Sequence, residues 1–138
     1  MANAGGQYTF YQSNVDGVQQ LHLGWVSGAT GAVPTSFPSG FINVPLEVKS
    51  VTRTGTGAFT ILWTGPWYAA MVKFVGSVLQ ATYANTGACS VYVVEDHSTN
   101  TTTPEVKILV TNAAGTAVDP TTSDIVTLTL SPVIKPSY

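Results

Sequence analysis

Three β-rich runs with glycine and proline at their corners fill the stretch from Glu47 to Leu79. The first two runs meet at Gly55 and Gly57, and a Gly65-Pro66 corner leads into the third and longest run. Short strands that are punctuated in this way are typical of an antiparallel meander. This stretch therefore predicts the architecture around which the other segments of the chain are arranged.

Large apolar residues alternate with small or polar ones in several runs, which is the period of a strand with one buried face. The predicted inward-facing sets are Leu21, Leu23 and Trp25, then Phe59, Ile61 and Trp63, then Val106, Ile108 and Val110, and finally Val126, Leu128 and Leu130. Further strands are predicted at Gln7 to Gln12 and Ala88 to Val94. Trp67 to Val75 also suits a short helix, because Pro66 fits a first turn, but its neighbours favour a strand.

These patterns predict a single all-β domain of about eight antiparallel strands, folded as a β-sandwich, a jelly-roll-like domain or a small barrel. A chain of 138 residues suits one domain with a real core. Residues 1–46 are predicted to hold the N-terminal strands and a long arm or loop. Residues 47–131 form the β core. Residues 132–138 form a tail, because two prolines there oppose a central strand.

The segment from Ser27 to Pro45 is the predicted arm, with three glycines, three prolines and no charged residue. A loop of this length is usually functional or disordered, yet disordered linkers rarely carry so many large apolar groups. We therefore expect the segment either to pack on a partner or to fold back over its own domain. Phe37, Phe41 and Ile42 of the arm, together with Trp67 at its glycine-proline corner, are the predicted partner-binding residues.

Charged residues make up only 9% of the chain, against about 25% in a typical soluble protein. A surface so poor in charge resists self-association weakly. Two explanations remain open, a small β-protein rich in Thr and Val, or a component of a large assembly whose surface is mostly covered. The five basic residues form no cluster, so no nucleic-acid partner is expected. We also expect neither a secretion signal nor a membrane span, because no continuous apolar run approaches about 20 residues.

The titratable residues suggest no catalytic or metal centre. His22 falls on the polar face of its strand, and His97 follows Asp96 in a polar stretch predicted to be a loop from Glu95 to Pro104. A metal there needs further ligands, for which Asp119 and Asp124 are the nearest acidic candidates. No nucleophile elbow and no phosphate-binding loop are present. We therefore expect a protein that is not an enzyme and that uses no cofactor.

The single cysteine and the tryptophans have simpler explanations than chemistry. Cys89 lies in an apolar run and is expected to be a small buried side chain rather than a reactive thiol. Trp25 and Trp63 alternate with core residues, whereas Trp67 is expected to be exposed. One exposed aromatic side chain makes a poor platform for a sugar, but a carbohydrate-binding module stays open as an alternative.

The central and C-terminal parts of the chain resemble the small β-rich virion proteins of tailed bacteriophages and prophages, specifically the head decoration or cement proteins. The likeness covers roughly Glu47 to Ser131 and is one of pattern. The segments that carry it are Val51-Thr52-Arg53-Thr54, Gly57-Ala58-Phe59-Thr60-Ile61, the run Tyr68 to Val78, Glu105-Val106-Lys107-Ile108, Asp119-Pro120 and Val126-Thr127-Leu128-Thr129-Leu130.

This resemblance implies a structural protein that is made in the host cytoplasm and binds the outer surface of an assembled capsid. Its expected partners are the major capsid protein and further copies of itself, in a homotrimer. The alternatives are another phage component, such as a tail, baseplate or fibre domain, and the carbohydrate-binding module already mentioned.

Overall fold

The structure, a computed structural model, describes residues 20–34, 39–67, 69–79 and 89–133. Within these residues the chain forms eight strands and one short 3-10 turn at Ala29–Gly31. The strands are β1 Leu21–Val26, β2 Phe41–Asn43, β3 Val48–Gly55, β4 Ala58–Trp63, β5 Ala69–Leu79, β6 Ser90–His97, β7 Glu105–Thr111 and β8 Ile125–Val133. The prediction of an all-β, antiparallel domain of about eight strands is confirmed.

All eight strands belong to one antiparallel sheet with the order β2-β1-β8-β5-β6-β7-β4-β3. The sheet curls into a half-barrel. Its curvature brings Trp25 of β1 against Phe59 of β4, with ring centroids 5.5 Å apart, although these strands lie near opposite ends of the sheet. The two edge strands, β2 and β3, are consecutive in the chain and are joined by residues 44–47.

The core fills the concave side of the sheet and consists of the predicted inward-facing sets. All twelve residues of those sets are at most 5% exposed, and Val48 and Val91 complete the buried cluster. Complete burial of one such side chain contributes about 1.5–3 kcal/mol. Gly76 of β5 also faces this core, because a Cβ atom there would lie 2.9 Å from Cβ of Val91. The alternation in the sequence was therefore a correct guide to the inner face.

The structure corrects the predicted limits of two segments. The sequence indicated a loop from Glu95 onward, but β6 continues to His97 and Glu95 pairs with Lys107 of β7. The two side chains form an ion pair of 2.7 Å, so the charges that suggested a loop lie on two paired strands. β8 runs through Pro132 to Val133, beyond the predicted start of the tail, where a register shift in β5 accommodates its end. β5 is a strand, as the neighbouring strands led us to expect.

The described part of the predicted arm folds back over its own sheet. β2 pairs with β1, and the ring of Phe41 lies 6.3 Å from that of Trp25. Val33 and Val44 also pack against the core. Of the two expectations for this segment, the described residues therefore follow the second. The predicted strand Gln7 to Gln12 and the arm residue Phe37 lie outside the described residues.

Candidate functional site

A groove of about 420 Å³ runs between the edge strand β3 and the segment that follows the 3-10 turn. Most of its lining is apolar, and one guanidinium group stands in it. The lining residues are Ala32, Val33, Pro34, Val51, Thr52 and Arg53. A volume of this size falls within the range of roughly 300–1,000 Å³ that is usual for ligand sites.

The direction of the backbone groups of β4 follows from two hydrogen bonds at its ends. The Trp63 N–H donates to the Pro104 carbonyl over 2.8 Å, and the Val110 N–H donates to the Gly57 carbonyl over 2.8 Å. Both bonds lie on the side of β7. Because peptide groups of an antiparallel strand alternate between its two neighbours, Phe59 and the other odd-numbered residues of β4 bond to β7.

The same alternation fixes which peptide groups of β3 face the groove. Val51 lies opposite Ile61, and Arg53 lies opposite Phe59, so both oppose residues of β4 that bond to β7. The N–H and C=O groups of Val51 and Arg53 therefore point away from β4, toward the groove. Within the part of the chain that the structure describes, these groups have no backbone partner. The groove is thus bordered by an unpaired strand edge.

An ion pair holds one end of the groove in place. Nε and Nη2 of Arg53 donate to the two carboxylate oxygens of Asp119 over 2.9 and 2.7 Å, and the Gly57 N–H donates to Oδ1 over 2.8 Å. Gly31 approaches so closely that a Cβ atom there would lie 2.6 Å from Oδ1. Asp119 therefore joins β3, the β3–β4 turn and the 3-10 turn at one point.

The ion pair shifts the pKa of both of its partners toward the charged form. The hydrogen bonds that Arg53 donates lower the pKa of Asp119 below its usual value, and the Gly57 N–H adds to the effect against partial desolvation. The pKa of Arg53 is raised, chiefly by its hydrogen bonds to Asp119. Nη1 of Arg53 donates no hydrogen bond to any described residue, and the side chain is 33% exposed. The guanidinium group thus keeps donors for a further acceptor.

Two loops hold the wall of the groove opposite β3. The Ser27 N–H donates to the Asp124 carbonyl over 2.7 Å, and the Ser123 N–H donates to the Ser27 carbonyl over 2.8 Å. The buried Ser27 hydroxyl also reaches the Pro120 carbonyl at 3.3 Å. Ser123 adopts φ +74°, a left-handed conformation that places its N–H toward Ser27. Ser27, which precedes the 3-10 turn, is therefore anchored to the loop that carries Asp119, and the Gly28 N–H in turn donates to the Ala32 carbonyl.

The predicted binding residues are not brought together as one patch. Phe41 is half-buried against Trp25, whereas Ile42 is 55% exposed on the opposite face of β2. Trp67, which the sequence placed at an exposed corner, is instead half-buried, because its ring packs edge-on against Trp63 with centroids 5.5 Å apart. Phe37 lies outside the described residues.

Sequence reasoning missed the residues that line the groove, although one signal for them exists. Arg53 lies two residues from Val51 and so on the same face of its strand, where both oppose buried residues of β4. A charge in that position requires a partner, and Asp119 was noted only as a possible metal ligand. The convex face also carries apolar side chains that were not singled out, namely Val75, Tyr92 and Val94, which are 53%, 44% and 56% exposed.

The remaining titratable residues are dispersed over the described part of the chain. His22 is exposed, and its Nδ1 lies 3.2 Å from the Thr129 hydroxyl. Among the described residues, no three His, Cys, Asp or Glu side chains come close enough to share a metal ion. No helix in the described ranges is long and apolar enough to cross a membrane. Cys89 is partly buried against the core.

The chain was compared with known protein families, with curated proteins and with solved structures. None of the three comparisons finds a match.

Proposed function

We propose that this protein is a non-enzymatic structural component of a bacteriophage virion, which binds the major capsid protein lattice and stabilises the head. The observation that carries the proposal is the unpaired edge of β3 with an apolar groove beside it. Exposed strand edges pair readily with other chains, so proteins that work alone usually cover or shorten them. An edge left open beside a groove suits a protein that works in an assembly.

Two further properties support attachment rather than chemistry. The chain has few charges, so the association of large surfaces meets little electrostatic repulsion. The convex face adds Val75, Tyr92 and Val94 as apolar contact area, and aromatic side chains are enriched in protein interfaces. The resemblance to head decoration proteins suggests the partner of this attachment, and we propose that a homotrimer binds on the outer surface of the head.

The proposal is tested by mixing the purified protein with emptied phage heads and measuring its co-sedimentation. We expect saturable binding and heads that withstand a higher temperature before they release their contents. The mass in solution, measured by light scattering without heads, should be that of a trimer. Leu46→Asp should weaken binding, since Leu46 is 93% exposed next to the edge strands. Ala113→Asp serves as the control, because Ala113 is exposed in the turn after β7 and belongs to neither proposed contact surface. A protein that leaves heads unbound would contradict the proposal.

The same preparation separates the alternative functions. A tail or baseplate component should assemble into rings or tubes, which negative-stain microscopy detects. A carbohydrate-binding module should be monomeric, and its tryptophan fluorescence should change when glycans are added. Trp67 offers only a half-buried ring for such stacking, which favours the structural function.

A further inference from the structure

We propose that the groove beside β3 accepts a single extended peptide segment of a partner protein, which pairs with the edge of β3 as a ninth strand. This inference deepens the proposed function and depends on it only for the identity of the partner. Addition of a strand to an open sheet edge is a general mode of peptide recognition, in which main-chain hydrogen bonds supply affinity. The structure supplies each element that this mode requires.

The first element is the pair of unsatisfied peptide groups. Val51 and Arg53 direct their N–H and C=O groups into the groove, two residues apart, which is the repeat of one strand edge. An added strand would bond to both residues and leave the bonds between β3 and β4 intact. The N–H and C=O groups of Val51 and Arg53 can therefore form two pairs of main-chain hydrogen bonds with an added strand.

The second element is the wall formed by Ala32, Val33 and Pro34, which decides what the occupant is. Neighbouring strands lie about 4.8 Å apart, so one extended chain fits beside β3. The wall lies across the groove from β3. We therefore expect a lone segment with small apolar side chains to fit between β3 and the wall more readily than the sheet edge of a second folded copy, whose next strand would need the same space.

The third element is Arg53, whose positive charge determines which charged group the segment should carry. Its Nη1 group has no hydrogen-bond partner among the described residues, and Asp119 holds the guanidinium plane in a fixed position. A guanidinium group binds a carboxylate through two parallel hydrogen bonds. The segment is therefore expected to carry Asp, Glu or a terminal carboxylate at the Arg53 end, together with small apolar residues that meet Val33 and Val51.

The free protein gives the first test, by amide hydrogen exchange measured with NMR. We expect the amides of Val51 and Arg53 to exchange at least a hundredfold faster than those of Ser50 and Thr52, which bond to β4. If all four amides are equally protected, a segment of the chain itself already covers the edge, and the proposal is overturned. This measurement requires no partner and does not depend on the proposed function.

The binding test uses a library of random peptides selected on the immobilised full-length protein. Selected peptides should have a small apolar residue at every second position and should carry a carboxylate. They should bind Ala32→Trp at least tenfold more weakly than the wild type, because the indole fills the groove. Ala29→Trp is the matched control, since Ala29 is equally exposed in the adjacent turn but does not line the groove.

Val51→Pro provides a second variant, because the backbone N–H that it removes faces the groove and not β4. Peptides that bind all variants equally, or a selection that yields no peptide sensitive to Ala32→Trp, would overturn the proposal. Binding of emptied heads is measured separately with the same two tryptophan variants. If peptides bind but emptied heads do not, the capsid is not the partner, and the proposal of a strand-accepting groove is unaffected.

Discussion

The two edges of the sheet differ in length, cover and chemistry. β2 has three residues, and the Asn43 side chain donates a hydrogen bond back to the His22 carbonyl on β1. β3 has eight residues and leaves peptide groups of its inner edge unpaired within the described chain. Short edge strands are a common protection against pairing with other chains. Within the described residues, one edge is therefore protected and the other is available.

The largest effect is expected when a core contact across the curled sheet is removed. Phe59→Ala removes a fully buried ring that contacts Trp25, and such substitutions cost about 3–5 kcal/mol. Urea unfolding followed by tryptophan fluorescence measures the loss. Thr60→Ala, on the other face of β4, should change the free energy of unfolding by less than about 0.5 kcal/mol. Similar losses for both would contradict the curled core.

Proline substitutions at neighbouring positions test which peptide groups form the open edge. Thr52→Pro removes an N–H that bonds to β4 and leaves its acceptor unsatisfied, which should destabilise the protein by about 1–3 kcal/mol. Val51→Pro removes an N–H that faces the groove, and edge strands tolerate such prolines. Thermal unfolding by circular dichroism compares the two. A greater loss for Val51→Pro would reverse the assignment of the edge.

The ion pair beside the open edge has an intermediate effect. Asp119→Ala removes the acceptor of the buried Gly57 N–H, and an unsatisfied buried donor costs about 1–3 kcal/mol. Denaturant unfolding measures this loss. Asp119→Asn keeps an oxygen acceptor for that N–H and should retain part of the stability. If Asp119→Ala unfolds at the wild-type midpoint, Asp119 does not fasten the loops.

Acidification should weaken the same fastening. The folded-state pKa of Asp119 is lowered, so the unfolded chain binds more protons in the window between the two pKa values. The stability that Asp119 contributes is complete above its unfolded pKa of about 3.9 and is lost as the pH falls through the lower folded value. The stability difference between the wild type and Asp119→Asn should therefore shrink below about pH 4. Unfolding measured in a pH series detects it, and a difference independent of pH would contradict it.

The smallest effect concerns the exposed link between the edges. Leu46→Ser replaces a side chain that is 93% exposed, so the free energy of unfolding should change by about 0.5 kcal/mol or less. The same substitution should reduce binding to emptied heads if the link touches a partner. Thermal unfolding and co-sedimentation of one preparation separate the two effects. A marked loss of stability would show that Leu46 packs within the domain.

The fold was predictable from the sequence because its strands alternate so regularly. Trp25, Phe59 and Val106 follow a period of two, and period alone assigns them to the inner face. The curl was not predictable, since the contact between β1 and β4 depends on the strand order, which local patterns do not encode. Glu95 was misplaced for a related reason, because its partner Lys107 lies on another strand.

The candidate site was less predictable than the fold. Large apolar residues such as Phe41 and Trp67 suggested a partner, but they pack against Trp25 and Trp63 within the domain. The groove instead depends on unpaired peptide groups of Val51, and composition carries no information about backbone pairing. Its charged residue was visible as an arginine on an inward position, and the identity of its partner required the tertiary structure.

The gap between the edge strands β2 and β3, here called the seam of the half-barrel, has two different ends because residues 44–47 join these strands. At one end the chain itself bridges the seam, and the Val48 N–H bonds to the Pro45 carbonyl over 3.1 Å. At the other end only side chains and loops meet, around Arg53 and Asp119. The main chain therefore closes one end of the seam covalently, whereas side-chain contacts close the other. Because a continuous chain cannot separate, any widening of the seam must begin at the Arg53–Asp119 end.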